Sequence, residues 1–319
     1  MFKGKYHQNL SHSIMVGDSY RTLAWNKAIE KAIKPNDIVV DFGAGSGILS
    51  LFALNQGAKH VYCVERKSEA QVLCKNLLED NGYNKDHFTI CTNDNELLSL
   101  INKCDVVLSE SIGDHLIENV SMKIFLGLCQ QLNPRVSLPQ RMSLYLYPEI
   151  LVRKTSSLEK IEKQLNINLE KLKNSDLPND LLDTSYFEEN SNTDFYWQIN
   201  NFHSIDKGEC IIDYFAYPLH FYNNEIKNDQ IVKTLTINTN NKKSYGILFY
   251  WTVVLYDDVK ITNHPSRSKN QSHSYYQRIV EIQNPELKSI NTVIIKIDMN
   301  YDDKKNEDQP CKNLQIKIS

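Results

Sequence analysis

The stretch that most constrains the fold of this 319-residue chain is residues 38–65, IVVDFGAGSGILSLFALNQGAKHVYCVE. An apolar run from Ile38 to Val40 leads through Asp41 into a loop that contains three glycines. A helical pattern follows, and a second apolar run ends at Glu65. Strand, glycine turn, helix and strand in this order form the first half of a nucleotide-binding α/β domain.

The residue types of this loop indicate which ligand it binds. Gly43, Gly45 and Gly47 let the backbone turn sharply and approach a ligand closely, and the helix after them offers unpaired N–H groups. Glu65, at the end of the second strand, is placed to bind the two hydroxyls of a ribose. The loop reads G-x-G-x-G, whereas the dinucleotide fingerprint is G-x-G-x-x-G. Asp41 would repel a pyrophosphate but suits a cationic cofactor such as S-adenosylmethionine; a dinucleotide and a structural glycine turn are the alternatives.

Composition narrows the class of protein. The chain is long enough for two domains, and 41% of its residues are hydrophobic, which suffices for a proper core. A net charge of −3 gives no reason to expect nucleic-acid binding. The seven cysteines form no C-x-x-C pair, so we expect a reduced, cytoplasmic protein without a metal site. The N-terminus is not a signal peptide, and no apolar run is long enough for a membrane span.

Helices and strands alternate over the first part of the chain. Periodicity predicts a helix from Ser19 to Ile33, a helix from Ser68 to Asn81, a strand from Phe88 to Cys91, a helical turn from Leu97 to Ile101, a strand from Cys104 to Leu108, a helix from Val120 to Leu132, and a turn at Pro134 and Pro139. This alternation implies a parallel sheet with right-handed crossovers. Asp41, Glu65, Glu96 and Glu110 lie at or just after strand ends, so we expect them to converge on one cleft.

The second part of the chain, residues 142–319, is rich in alternating β segments. Runs such as MSLYLYPEILV and YGILFYWTVVLY, with no helices between them, predict an antiparallel β-barrel or sandwich. Residues 1–141 would then form the cofactor domain. Within the second part, residues 156–192 carry leucine and isoleucine at helical spacing. This segment is either an arm that pairs across the two-fold axis of a homodimer or a surface insertion.

An acidic loop follows the predicted fourth strand. Its sequence, Ser109 to Glu118, reads SESIGDHLIE, with Glu110 and Glu118 on either side of a glycine turn. Two carboxylates directed into one cleft suit a planar cation, and a guanidinium pairs with carboxylates through two N–H groups. Glu118 also has a purely structural reading, as a negative charge near the start of the Val120 helix.

At these residues the chain resembles a known family. VVDFGAGSGILSLFALNQGAKHVYCVE followed by VVLSESIGDHLIE is similar to the protein arginine N-methyltransferases. The segment from His12 to Thr22 looks like the family pattern H-x-x-M-x-x-D-x-x-R-T. The resemblance covers nearly the whole chain and is strongest over residues 12–145. It implies a Rossmann-like methyltransferase domain, a β-barrel domain with an inserted helical arm, a ring-shaped homodimer, and methyl transfer to a guanidino group.

The resemblance also implies roles for residues around the cofactor. Arg21 would pair with the carboxylate of S-adenosylmethionine, and His12 and Met15 would line the sulfonium region. Tyr6 would cover the site as the N-terminal helix closes, and Gly43 would pass close to the cofactor.

Further roles concern the nucleoside and the substrate. By the same resemblance Glu65 would bind the ribose and Glu96 the adenine, while Glu110 and Glu118 would clamp the substrate guanidinium. The clamp would localise positive charge on the nitrogens that do not attack, and the third nitrogen would attack the methyl carbon in line and displace S-adenosylhomocysteine. A strong base is not needed before transfer.

The acidic loop departs from the family in two ways. Glu110 and Glu118 are one residue closer together than the family's two glutamates, which puts the position of Glu118 in doubt. The aromatic residue that normally follows the first glutamate is Ser111, and a position usually aromatic is Asp114. Asp114 would suit a substrate with a further positive group, such as an α-amino group.

A third departure lies in the second part. The family has a T-H-W-x-Q segment there, and the matching residues 272–277 read SHSYYQ. His273 takes the histidine position if one residue is inserted, and Ser274 takes it otherwise. An ordinary loop histidine is the other reading of His273.

Three hypotheses about function follow. The first is an enzyme that methylates arginine side chains in proteins. The second is an enzyme for a small guanidino molecule, such as free arginine or a natural-product precursor. The third is a relative that binds the cofactor without turnover and serves as a scaffold, which the presence of Arg21, Asp41, Glu65 and Glu110 argues against.

Overall fold

The structure is a computed structural model. It describes residues 12–112, 120–154, 163–166, 168, 196–198, 209–215, 220–221, 226–227, 230–238, 244–264, 278–283, 290–298 and 314–318. The elements of the first part are α1 (Ser19–Ala32), β1 (Ile38–Phe42), α2 (Ile48–Asn55), β2 (His60–Val64), α3 (Ser68–Asp80), β3 (Phe88–Cys91), α4 (Asp94–Leu100), β4 (Val106–Leu108), α5 (Val120–Leu132) and β5 (Val136–Leu138).

Helix α1 begins after a break in the chain at Asp18. Residues 12–17 are helical, and Asp18 then adopts an extended conformation and caps α1, because its side chain accepts a hydrogen bond from the backbone N–H of Arg21. The apolar side of α1 carries Trp25 and Ile29, both fully buried. These side chains make α1 part of the hydrophobic core that also contains the strands of the parallel sheet.

Strands β1 to β5 form one parallel sheet in the order β3-β2-β1-β4-β5. Its central strands are apolar and buried on both faces, as in other parallel sheets covered by helices; Val39, Val61 and Val106 are completely buried. The strand order reverses between β1 and β4. The carboxyl ends of these two strands therefore border the crevice in which doubly wound sheets bind ligands.

The second part consists of antiparallel strands. They are β6 (Arg141–Lys154), β7 (Tyr196–Gln198), β8 (Glu209–Phe215), β9 (His220–Phe221), β10 (Ile226–Lys227), β11 (Gln230–Asn238), β12 (Ser244–Tyr256), β13 (Val259–Thr262), β14 (Arg278–Gln283), β15 (Ile290–Asp298) and β16 (Leu314–Ile318). One sheet has the order β10-β11-β15-β16, and the other has the order β13-β12-β6-β8-β9, with β14 beside β12 and β7 beside β6.

Several element boundaries differ from the sequence-based prediction. The fourth strand begins at Val106 rather than Cys104, because the side chain of Asp105 accepts the hydrogen bond of Ile38 N–H at 2.8 Å and replaces a strand contact. Helix α4 begins at Asp94, earlier than the predicted turn, because Asn93 caps it. Five strands were missed. They are β5, β7, β10, β13 and β16, of two to five residues each.

Some predictions fall wholly or largely outside the described residues. Of the proposed arm, residues 156–192, only 163–166 and 168 are described; 163–165 are helical, and the Leu165 side chain is 61% exposed. Tyr6, Asp114, Glu118 and His273 are not described, and their roles remain predictions. Among the described helices, none combines the length and the apolar character that a membrane crossing requires.

Helix α1 joins the two parts of the chain. It packs against β12 and β13 as well as against α2. The backbone N–H of Thr262, at the end of β13, donates to the Tyr20 hydroxyl at 3.1 Å. Lys31 forms ion pairs with Asp257 and Asp258 in the β12–β13 turn. Helix α1, which carries Arg21, is thereby fixed to α2 in the first part of the chain and to β12 and β13 in the second part.

Candidate active site

The glycine loop between β1 and α2 turns without room for side chains. Gly45 and Gly47 both have positive φ, +55° and +82°. A Cβ at Gly47 would lie 2.7 Å from Sγ of Cys74 in α3, and a Cβ at Gly45 would lie 3.1 Å from Cε1 of His12. The loop is therefore pressed against α3 on one side and against the N-terminal helical segment on the other.

Asp41 lies beneath this loop and is 1% exposed. The hydroxyl of Ser50, in the first turn of α2, donates to its Oδ2 at 2.7 Å. Burial, together with the nearby charges of Glu110 and Glu65, raises the pKa of Asp41 to about 7, although the hydrogen bonds from Ser50 act to lower it. Among the described residues no positive group offsets the burial of this carboxylate, and a cationic ligand would supply one.

Glu65 faces the glycine loop from the end of β2. Its two carboxylate oxygens accept hydrogen bonds from Gly45 N–H at 3.0 Å and Lys67 N–H at 2.9 Å. His12 is close enough for its charge state to respond to Glu65: burial lowers the pKa of His12, and the glutamate partly opposes that. His12, Gly45 and Glu65 thus lie together, and their roles around a cofactor remain predictions.

Arg21 and Glu110 form the most direct contact in the crevice. Nε and Nη2 of Arg21 donate to the two carboxylate oxygens of Glu110, and both side chains are about one-tenth exposed, at 11% and 8%. Nη1 of Arg21 donates to the backbone carbonyl of Met15 at 2.7 Å. The sequence predicted a cofactor carboxylate for Arg21 and a substrate guanidinium for Glu110. In the structure the two side chains bind each other instead.

Glu96 follows β3, the strand beside β2. It is partly exposed near the start of α4, and its Oε2 accepts hydrogen bonds from the backbone N–H and the hydroxyl of Thr92, at 2.7 and 2.6 Å. These bonds lower the pKa of Glu96. The charges of Glu65 and Glu110 act on Asp41, whereas the described hydrogen bonds of Glu96 are to Thr92 at the end of β3. The adenine role of Glu96 remains a prediction.

Ser111 lies against the glycine loop. A Cβ at Gly43 would lie 3.0 Å from Oγ of Ser111, and the backbone N–H of Ser111 donates to the hydroxyl of Ser109 at 3.3 Å. At the position where the family normally has an aromatic side chain, this chain places a single hydroxyl beside Gly43.

Sequence reasoning missed three residues that hold site carboxylates or site helices in place. Ser50 binds Asp41, Thr92 binds Glu96, and Asp18 caps the helix that carries Arg21. Asp18 had a readable signal, because an aspartate before an amphipathic stretch is a common N-cap. Ser50 had none, because a serine within a helical pattern does not reveal which strand residue it faces.

The chain was compared with protein-family models and with known sequences. The family model of ribosomal protein L11 methyltransferase (PrmA) matches residues 22–125. Protein arginine N-methyltransferase 6 of Danio rerio is 32% identical over 152 residues, which are 46% of this chain and 43% of that protein. The probable histone-arginine methyltransferase 1.4 of Arabidopsis thaliana is 35% identical over 127 residues, 39% of this chain and 24% of that protein. The chain thus spans less than half the length of these two relatives.

Solved structures match over a larger share of the chain. A crystal structure of PRMT6 covers 99% of this chain and 100% of its own, with a TM-score of 0.63 and 16% identity. The Trypanosoma brucei PRMT1 enzyme-prozyme heterotetrameric complex with AdoHcy covers 89% of this chain and 86% of its own, with a TM-score of 0.60 and 18% identity. At this identity the likeness concerns the fold.

The family-model match spans residues 22–125, which include the glycine loop and Asp41, Glu65 and Glu110, and the structural matches show a parallel-sheet, Rossmann-like methyltransferase fold. Over less than half of its length the chain is thus similar in sequence to protein arginine N-methyltransferases.

Proposed function

We propose that the chain is an S-adenosylmethionine-dependent N-methyltransferase that acts on a guanidino group of the arginine type. One observation carries this proposal: Glu110, at the carboxyl edge of the sheet, binds a guanidinium group through both of its carboxylate oxygens. In the structure that group belongs to Arg21, which stands in for a substrate. The contact is the two-bond pairing that favours arginine over lysine.

The residues present fit the cofactor. The loop leaves no space for a Cβ at Gly45 beside His12, which suits close approach of a ligand to the backbone. Asp41 is buried, and within the described part of the chain no positive group favours its charge, which suits the cationic amino-acid end. Glu65 at the end of β2 suits a ribose. When bound, S-adenosylmethionine supplies an electrophilic methyl group, and the named relatives and a PRMT6-SAH structure support this assignment.

The chain's own contribution to the reaction is positioning and charge. Glu110, together with Glu118, would hold two nitrogens of the guanidinium and draw positive charge onto them, which leaves the third nitrogen more nucleophilic. The same contacts orient the third nitrogen for in-line attack, so proximity supplies much of the catalysis. Glu110 is largely buried, which strengthens its electrostatic effect.

The favoured substrate is an arginine side chain of a protein, as the names of the relatives suggest. A small guanidino molecule is the second candidate, and a specific observation favours it: Ser111 places a hydroxyl beside Gly43 where the family normally has an aromatic side chain. A pocket with a polar, open wall suits a substrate with further charged groups, and Asp114 would bind an α-amino group.

The assembly is part of the proposal. The antiparallel strands of the second part would close into a β-barrel, and the segment 156–192 would form the arm of a homodimer. We further propose a cytoplasmic location.

The test is a transfer assay with methyl-labelled S-adenosylmethionine and three parallel acceptors: an arginine-rich peptide mixture, free arginine, and neither. Label on the peptides supports a protein-modifying enzyme, and label on free arginine alone supports the small-molecule reading. Glu110→Gln should reduce transfer about 100-fold or more while S-adenosylhomocysteine still binds. Glu79→Gln, an exposed glutamate on α3, is the matched control. Cofactor binding without transfer to either acceptor would favour the scaffold reading.

A further inference from the structure

A line of hydrogen-bonding groups runs beneath the glycine loop and ends at Asp41. The Ser50 hydroxyl lies 2.7 Å from Oδ2 of Asp41 and 3.2 Å from Sγ of Cys63. Asp41 and Cys63 face each other in the β1–β2 register. Ser50 and Cys63 are completely buried, so water does not substitute for either contact.

Ser50 is the donor in its hydrogen bond with Asp41. A hydrogen bond with Cys74, together with burial, raises the pKa of the Cys63 thiol well above its ordinary value, so Cys63 stays protonated. The Ser50 hydroxyl donates to Oδ2 of Asp41, and the protonated Cys63 thiol lies 3.2 Å from the Ser50 oxygen. The bond from Ser50 stabilises the ionised form of the carboxylate that accepts it.

The other charged groups near Asp41 act in the opposite direction. Glu65, after β2, and Glu110, after β4, both disfavour a negative charge on Asp41. Arg21 of α1 is bound to Glu110 and is not among the groups that favour an ionised Asp41. Among the described residues around Asp41, the hydroxyl and backbone of Ser50 are thus the named groups that favour its charge.

We propose that Ser50 is a positioning residue of the cofactor site: its hydroxyl holds the Asp41 carboxylate ionised and oriented toward the cationic end of S-adenosylmethionine. This inference rests on the proposed function, because it assumes that Asp41 faces that cofactor. Ser50 touches neither cofactor nor substrate in this scheme and acts only through Asp41. Cofactor capture becomes coupled to a proton, since a protonated Asp41 must lose its proton before it binds a cation.

The coupling predicts how affinity depends on pH. Asp41 in the free protein has a pKa of about 7, so affinity for S-adenosylhomocysteine, which keeps the α-ammonium group, should level off above that pH. Below it, affinity should fall about tenfold for each pH unit. Binding below that pH should also release up to one proton into the buffer.

The experiment is calorimetric titration of the whole chain with S-adenosylhomocysteine from pH 5.5 to 9. Three variants accompany the wild type: Ser50→Ala, Ser50→Thr, and Ser137→Ala. Ser137 is an equally buried serine of β5, whose hydroxyl donates to Pro139 O instead. Circular dichroism establishes that each variant is folded. In Ser50→Ala the midpoint of the affinity–pH curve should rise by about one pH unit, because one hydrogen bond to a charged group is lost.

Ser50→Thr should restore the midpoint, and Ser137→Ala should leave it unchanged. A Ser50→Ala curve that falls equally at every pH would overturn the inference, because it would show a purely structural role for the hydroxyl. A wild-type curve without a midpoint would overturn it as well. If the wild type fails to bind S-adenosylhomocysteine at any pH, the proposed function itself fails, and that result is distinct from binding with an unshifted midpoint.

Discussion

Asp41 couples the cofactor site to the stability of the folded chain. Its pKa is about 7 when folded and 3.8 in the reference state. Between these values the folded chain binds a proton that the unfolded chain has released, so the free energy of unfolding falls as pH rises through this window. The interval corresponds to about 4 kcal/mol at most. The carboxylate therefore costs stability at pH 8 that it does not cost at pH 4.

Asp41→Asn should remove this pH-dependent cost. The amide carries no charge, so the variant should gain stability relative to the wild type as pH rises from 5 to 8, by up to a few kcal/mol. Calorimetric melting without ligand at both pH values measures this difference, and any constant packing cost of the amide cancels in the comparison. The same variant should lose affinity for S-adenosylhomocysteine. An equal stability difference at pH 5 and pH 8 would contradict the assignment.

The Arg21–Glu110 pair predicts an order of ligand binding. Both oxygens of Glu110 are engaged by a guanidinium on the same chain, which competes with a substrate at high effective concentration. A cofactor carboxylate would draw Arg21 away and free Glu110. An arginine-rich peptide should therefore bind about tenfold or more tightly with S-adenosylhomocysteine than without it. Calorimetry with and without the cofactor product measures the ratio, and a ratio near one would dismiss this competition.

At the residue scale the sequence indicated the carboxylates but not their partners. Asp41, Glu65 and Glu110 were predictable because parallel strands end at one edge of a sheet. The contact between Arg21 and Glu110 spans 89 positions, and no local periodicity reports a contact at that separation. Ser50 was hidden for a related reason, because its role depends on which strand residue lies beneath its helix.

At the scale of one element, the start of α2 depends on Gly47. This residue has φ +82°, and a Cβ there would lie 2.7 Å from Sγ of Cys74. Gly47→Ala should therefore destabilise the chain by about 2–4 kcal/mol, the combined cost of a left-handed alanine and an overpacked contact. Urea unfolding measures the change. Gly82→Ala is the matched control, because its φ is +88° but nothing lies within 4 Å, so it should cost only the backbone strain.

The contact with Cys74 can be separated from the strain. Gly47→Ala combined with Cys74→Ala removes the sulfur but leaves Cα and Cβ of residue 74 at 3.1 and 3.3 Å. The double variant should recover about 1 kcal/mol relative to the sum of the single changes. Two results would show that α3 moves aside at no cost in stability. One is strict additivity of the two changes, and the other is a loss of stability in Gly47→Ala no larger than that in Gly82→Ala.

Long, regular elements were predictable and short ones were not. The helix Val120–Leu132 and the strand Phe88–Cys91 have the predicted bounds, because periodicity and flanking residues mark both ends. Strand β5 has three residues between Pro134 and Pro139, too few for a pattern, and only its pairing with β4 defines it. Strand β16, LQIKI, does alternate apolar and polar residues, so its sequence is typical of a strand.

For the whole molecule, α1 connects the crevice with the antiparallel sheets. Arg21 lies on the crevice side of α1, and the adjacent Tyr20 accepts a hydrogen bond from Thr262 of β13. Further along the helix, Lys31 contacts the β12–β13 turn at the surface. The Tyr20 contact is part-buried and the Lys31 contacts are exposed, so they should contribute differently to the packing of α1 against the second part of the chain.

Tyr20→Phe should weaken the packing of α1 against β12 and β13. Without the hydroxyl, the part-buried N–H of Thr262 loses this acceptor, which costs about 1–3 kcal/mol. The melting temperature should therefore fall. Cofactor affinity should also fall, because Arg21 is the next residue on the helix. Lys31→Ala is the comparison. Its ion pairs are solvent-exposed and screened, so no measurable change is expected. A larger loss from Lys31→Ala than from Tyr20→Phe would show that surface charge, rather than the Tyr20 contact, holds α1 to the second part.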